Sequence, residues 1–308
     1  MTTTAISIRA LTSTMLAAVL ASGCAAPTPL PDDELSHRLQ QVNLVLKPDG
    51  VGPFPAVLLL HTCYGNLGHV DAWATRLQRR GYVAVVVNSM QARGLVGHFD
   101  RMAVCGGRVL RAPERGRDIR ISIEQLENLG DVDPKRIGLV GFSHGGWTAL
   151  DFLGQSTGVD PRAPSVPGSG GIRSVVTVYP YCGEEAMDGL AGWPRDTRML
   201  MLLAGNDTTV GTAECRALAE EQRARGFAVE LHVYPRAEHG YDIDPAMIYG
   251  YDQRYDAIAA ADTRKRILEF LDKTLKAGSG STEARHPVMR PGRARGGQYV
   301  QSTHSRMR

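Results

Sequence analysis

Three residues, in the order Ser143, Asp207 and His239, have the types and spacing that would do nucleophilic chemistry. Ser143 lies in Gly141-Phe142-Ser143-His144-Gly145-Gly146, between the apolar run 137–140 and a helical stretch at 147–152. A Gly-x-Ser-x-Gly motif between a strand and a helix forms a tight, strained elbow that lifts the serine hydroxyl above a sheet. A free hydroxyl is almost fully protonated at neutral pH, so attack needs a base. Of the nine histidines, His239 in Glu238-His239-Gly240 is best placed, in a loop after the last apolar strand and before the final helix. His232 falls inside that strand, His69 and His98 lie upstream of the serine, and His304 is near the C-terminus. Asp207, at the end of Leu200-Met201-Leu202-Leu203-Ala204-Gly205-Asn206-Asp207, would hold the imidazole in one tautomer and stabilise the imidazolium. Asp196 and Asp242 compete for that role, the first ahead of its strand and the second inside the histidine loop.

The oxyanion formed by such an attack needs two N–H donors, one from the residue after the nucleophile and one from a loop after an earlier strand. His144 supplies the first. The second is expected from His61-Thr62-Cys63-Tyr64-Gly65, with Cys63 as the choice and Tyr64 as the alternative.

Elements that would hold these residues alternate along the chain. Strands are expected at 42–46, 56–61, 82–88, 136–142, 172–179, 198–204 and 228–234, several of them continuous apolar runs that suit strands buried on both faces. Between them, Val70, Trp73 and Leu77 and then Ile119, Ile123 and Leu126 repeat at helical spacing. Further helices are expected at about 145–152, 212–225 and 255–275. This is the order of a three-layer α/β sandwich on a mostly parallel, doubly wound sheet. Segments 89–113 and 181–195 fit neither element type. Both would leave the carboxyl edge of the sheet, where ligands bind in such folds, and would wall the site. Arg93, Arg101 and Arg108 in the first are candidates to recognise a substrate carboxylate.

The ends read differently from the middle. In residues 1–23, Arg9 precedes an apolar stretch at 10–21, too short for a permanent membrane span, and reads as an export signal. Leu20-Ala21-Ser22-Gly23-Cys24 resembles a bacterial lipobox, which implies lipidation of Cys24. Residues 24–39 read as a linker, 40–276 as the catalytic domain, and 277–308, rich in Gly, Ser and Arg, as a disordered basic tail. The chain carries a formal net charge of +3; removing the tail's six Arg and one Glu, together with Arg9, leaves about −3 for residues 24–276. Such a body lacks the basic face of a nucleic-acid binder. With Cys24 lipidated, Cys63, Cys105, Cys182 and Cys215 remain, an even number that favours disulfides in an exported chain and matches no zinc spacing. Each pair follows neighbouring strands, so Cys63–Cys105 with Cys182–Cys215 is the most local of three connectivities.

From Pro55-Ala56-Val57 and His61-Thr62-Cys63-Tyr64-Gly65, through Asp133-Pro134-Lys135-Arg136-Ile137 and the elbow, to Gly205-Asn206-Asp207 and Glu238-His239-Gly240, the chain resembles the dienelactone hydrolase family over residues 40–275. The resemblance implies a monomeric α/β-hydrolase that acts on small esters or lactones without a cofactor or metal. The enzyme that names the family resembles a cysteine hydrolase at the elbow; Ser143 here implies a general esterase. Relatives show His-Gly or His-Glu where this chain has His61-Thr62. Two further readings share the motifs: a peptidase of the prolyl-oligopeptidase type, and a non-catalytic binding or envelope protein on a hydrolase fold. The expected location is the periplasm or cell envelope.

Overall fold

A computed structural model describes residues 29–156, 171–183, 194–244 and 255–276. In chain order the elements are α1 (Asp32–Val42), β1 (Leu44–Leu46), β2 (Phe54–Leu60), α2 (His69–Arg79), β3 (Val83–Val87), α3 (His98–Cys105), α4 (Ala112–Glu127), β4 (Val132–Phe142), α5 (His144–Ser156), β5 (Ile172–Val178), β6 (Arg198–Ala204), α6 (Ala213–Ala224), β7 (Val229–Tyr234) and α7 (Ala257–Leu271). A π-helical turn, Asp272–Lys276, extends α7.

The apolar runs become strands because a strand turns successive side chains to opposite faces, and here both faces are covered. Ala56, Leu58 and Leu60 of β2 pack with Val83, Val85 and Val87 of β3 against α1, α4 and α5. Val57 and Leu59 pack with Ala84 and Val86 against α2 and α7 on the other face. The sheet order is β1-β3-β2-β4-β5-β6-β7. β1 pairs antiparallel with β3 and all other neighbours run parallel. This is the expected α/β-hydrolase sandwich. It brings the carboxyl ends of β2, β4, β6 and β7, and the loops that follow them, to one edge.

Two expectations are corrected. The stretch expected as linker, 24–39, holds most of α1, and 42 is helical, not the start of a strand. Leu35 and Leu39, one turn apart, are fully buried in the main core, and Asp32 pairs with Arg117 and Arg120 of α4. Pro31 stands just ahead of the first turn, where a missing N–H costs nothing, and Asp32, Asp33 and Glu34 suit the positive end of the helix. The segment 89–113 is not a plain loop. It contains a short 3-10 turn, Gln91–Arg93, and α3, and α4 begins at Ala112. Gly94, Gly97, Gly106 and Gly107 interrupt the apolar period there, so each helical piece is too short to show it.

The expected export signal 1–23, Cys24 and the tail 277–308 lie outside the described residues, as does most of 181–195. Among the described residues, no helix is long and apolar enough to cross a membrane.

Candidate active site

Ser143 occupies the single residue between β4 and α5, with φ of 53°, a left-handed conformation that side chains rarely adopt. Its backbone N–H donates to the Val178 carbonyl (2.9 Å), and its carbonyl accepts from Trp147 N–H (3.0 Å). The flanking glycines are a steric requirement. A Cβ on Gly141 would lie 2.3 Å from the Gly145 carbonyl oxygen, and a Cβ on Gly145 would lie 2.3 Å from that of Leu60.

The elbow aims the hydroxyl at His239: Ser143 Oγ and His239 Nε2 are 2.8 Å apart. His239 Nδ1 lies 2.7 Å from Asp207 Oδ2. A carboxylate only accepts, so the proton sits on Nδ1 and the Nε2 lone pair faces the serine hydroxyl. The other carboxylate oxygen, Oδ1, accepts the backbone N–H groups of Thr209 and Val210, each at 3.0 Å. Backbone bonds from Gly205 to the Tyr234 carbonyl and from Asn206 to the Ala237 carbonyl tie the acid loop to the histidine loop. The competing acids are engaged elsewhere. Asp196 pairs with Arg173. Asp242 accepts from the Tyr179 hydroxyl (2.5 Å) and sits 2.9 Å from His69 Nε2. Burial alone would raise the Asp242 carboxyl, but the charge and hydrogen bond of His69 and the bond from Tyr179 hold it below the usual range. His232 lies in β7 beside Asp262, and His98 is exposed at the start of α3.

Above the serine opens a cavity of about 630 Å³. The sequence expectation that 89–113 would wall the site is met by Val104, Cys105, Gly106 and Gly107. Trp147, Tyr181 and Val210 add aromatic and aliphatic surface to a lining that also holds the polar groups of Tyr64, His144 and Thr209. Both expected disulfides are present, Cys63–Cys105 in the cavity wall and Cys182–Cys215 buried in the core, next in sequence to Tyr181 of the lining. Tyr64 N–H donates to Thr62 Oγ1 (3.2 Å), which commits it locally, whereas His144 opens α5, where the first N–H groups have no acceptor within the helix. Arg93 is not available to a substrate: it is bidentate to Asp118 (2.9 Å twice) and bonded to Glu114 (3.1 Å). Arg101 and Arg108 do not line the cavity. Among the described residues, no group of three or more His, Cys, Asp or Glu could hold a metal.

One neighbour of the site has no counterpart among the sequence expectations. Arg115 of α4 is fully buried and donates to the His61 carbonyl and to His144 Nδ1. Burial pushes its guanidinium down to about 10, which leaves it charged at neutral pH. Burial, and then the Arg115 charge, push His144 well below the ordinary histidine range, so its ring is neutral. The signal lay in helical spacing: Arg115 precedes Ile119, Ser122 and Leu126 by 4, 7 and 11 residues, on the buried stripe.

The fold, with a serine on the elbow between β4 and α5, defines an α/β-hydrolase. The dienelactone hydrolase family model matches residues 42–275. The chain belongs to that family, and it is a carboxylic-ester hydrolase. A Synechocystis sp. protein provisionally named carboxymethylenebutenolidase is 24% identical over 250 residues, covering 78% of this chain and 95% of its own. Among solved structures, one provisionally named dienelactone hydrolase from Klebsiella pneumoniae aligns with a TM-score of 0.60 at 16% identity, covering 75% of this chain and 92% of its own. A dienelactone hydrolase-like promiscuous phosphotriesterase from metagenomic libraries aligns at 0.59 and 17% identity, covering 73% and 88%. These structures are similar in fold.

Proposed function

We propose that this hydrolase works through an acyl-enzyme on Ser143, with His239 as general base and acid and Asp207 as the orienting carboxylate. The observation that carries the reading is the unbroken relay from Ser143 Oγ to His239 (2.8 Å) to Asp207 (2.7 Å), set at a strained elbow. His239 Nε2 takes the hydroxyl proton as Oγ attacks the ester carbonyl. The oxyanion is held by the N–H groups of Cys63 and His144, a term worth about 3 kcal/mol per donor. Collapse breaks the bond to the alkoxide, which leaves with the proton from His239. Water then gives its proton to His239 and attacks the acyl carbon, and Ser143 recovers a proton as the acid departs.

Among the described lining residues there is no Lys or Arg, and Arg93 is engaged by Asp118 and Glu114, which supports uncharged esters as substrates over carboxylate-bearing lactones. Export, with Cys24 as a lipid-bearing residue of a monomer, belongs to the same reading, supported by the two disulfides. The test is a fluorophosphonate probe with p-nitrophenyl acetate turnover. Wild type should label once per chain, and Ser143→Ala should lose both labelling and turnover with its thermal midpoint nearly unchanged. Activity of Ser143→Ala above about a hundredth of wild type would refute the nucleophile.

A further inference from the structure

We propose that Arg115 is a positioning residue that holds the two halves of the oxyanion site in register, gripping the His61 carbonyl on one side and the His144 ring on the other. This rests on the reading of Cys63 and His144 as the donors. The pairing between β2 and β4 ends at Leu60 and Gly141. Past that point the two chains diverge, one toward Cys63 and the other through Ser143 to His144. Arg115 bonds to both. Its Nη1 and Nη2 each donate to the His61 carbonyl at 3.1 Å, two residues before Cys63, and Nη1 also donates to His144 Nδ1 at 2.9 Å. Nε donates to Ser89 Oγ at 3.3 Å, just beyond β3. One planar group thus ties together the ends of three neighbouring strands.

A guanidinium has five donors in a fixed fork and no acceptor, so His144 must accept through Nδ1 and carry its proton on Nε2. The ring orientation behind the second oxyanion donor is thereby fixed. Desolvation disfavours a buried cation, so Arg115 is retained only where its hydrogen bonds and the through-space charge of Asp118 offset that cost. Among the described residues, no carboxylate hydrogen-bonds Arg115 directly; the charge of Asp118 acts on it through space, while that carboxylate accepts two hydrogen bonds from Arg93. The partners of Arg115 are instead a carbonyl, a neutral imidazole and a hydroxyl, all attached to backbone that must not shift.

A misplacement of about 1 Å at a reacting centre costs on the order of 100-fold in rate. Arg115→Lys and Arg115→Met should each lower kcat for p-nitrophenyl acetate by about that factor, with KM moving less than about threefold. Lysine should not rescue, since a single ammonium cannot span the three acceptors. Binding of a trifluoromethyl ketone, which mimics the tetrahedral adduct on serine, should weaken by the same factor as kcat. The apparent pKa of the rising pH limb should stay in place, because the His239–Asp207 pair is untouched; general loosening of the site would move it. If neither variant folds by circular dichroism, His144→Phe removes only the ring anchor and should show the same parallel loss of kcat and ketone affinity. A folded Arg115→Met with kcat within threefold of wild type, or a loss confined to KM, or unchanged ketone affinity beside a lowered kcat, overturns the positioning role alone. Failure of the fluorophosphonate to label wild type would bring down the nucleophile reading, and this proposal with it.

Discussion

Asp207 spends one carboxylate oxygen on His239 and the other on two backbone N–H groups, so its position is fixed by its own loop before it touches the histidine. Asp207→Asn keeps that shape but can present an N–H to His239 Nδ1, which favours the wrong tautomer. In a serine protease the same change lowers kcat about 10,000-fold. We expect a loss of similar size here, with KM altered only a few-fold, in steady-state ester hydrolysis. A loss under tenfold would return the acid role to open contest. Ser143, His239 and Asp207 could be read from the sequence because each follows an apolar strand, and strand ends define the edge. Arg115 could not be read so easily, since a helical arginine is ordinarily a solvated one. Only its place on the stripe of Ile119, Ser122 and Leu126 argued otherwise. The backbone donors to Asp207 left no trace in residue types at all.

At the scale of elements, the strands were legible because burial on both faces writes them as apolar runs; two helices showed a period, at Val70, Trp73 and Leu77 and at Ile119, Ile123 and Leu126, and α4 begins seven residues before the second of these sets. α1 escaped because it buries only Leu35 and Leu39 fully, with Val42 partly buried, amid charged residues, and three prolines precede it. α3 escaped because it has a single fully buried apolar residue, Val104, while Phe99 and Met102 face solvent. α1 is nonetheless part of the folded unit. Leu35→Ala should destabilise the protein by about 2–5 kcal/mol, the usual range for emptying a buried leucine site, as read by urea unfolding. The folded variant should keep wild-type kcat, because α1 contributes no group to the cavity. An effect below about 0.5 kcal/mol would mean that α1 is an appendage, as the linker reading had it.

For the molecule as a whole, stability and catalysis are coupled to pH through different groups, and one of them can be isolated. Asp151 in α5 is buried, and burial pushes its carboxyl up to about 6, against a lowering by Arg111. The unfolded chain releases this proton near 3.8 and the folded chain only near 6, so ionising Asp151 in the folded state is a cost. Its contribution to stability is full below about 3.8 and declines as pH rises through 6. Asp151→Asn should therefore be more stable than wild type at pH 7 by about 1–3 kcal/mol, a gap that closes by pH 4. Urea titrations at the two pH values check this, and a gap that persists at pH 4 would point to packing instead. The pattern of cross-links bears on how the molecule is made. Cys63 is joined to Cys105 and Cys182 to Cys215, so the two covalent rings follow one another along the chain and do not interleave. A chain emerging N-terminus first into an oxidising compartment would offer its thiols in that order, and joining each to its successor gives the native set without any reshuffling. Under that rule a free Cys24 would compete with Cys105 for Cys63, and pairing of Cys24 with Cys63 would shift every later pairing by one. If Cys24 is lipidated, its sulfur is no longer a partner for Cys63, some 40 residues downstream, and a Cys24→Ser chain, with nothing left to mispair, would reach the same cross-links unaided.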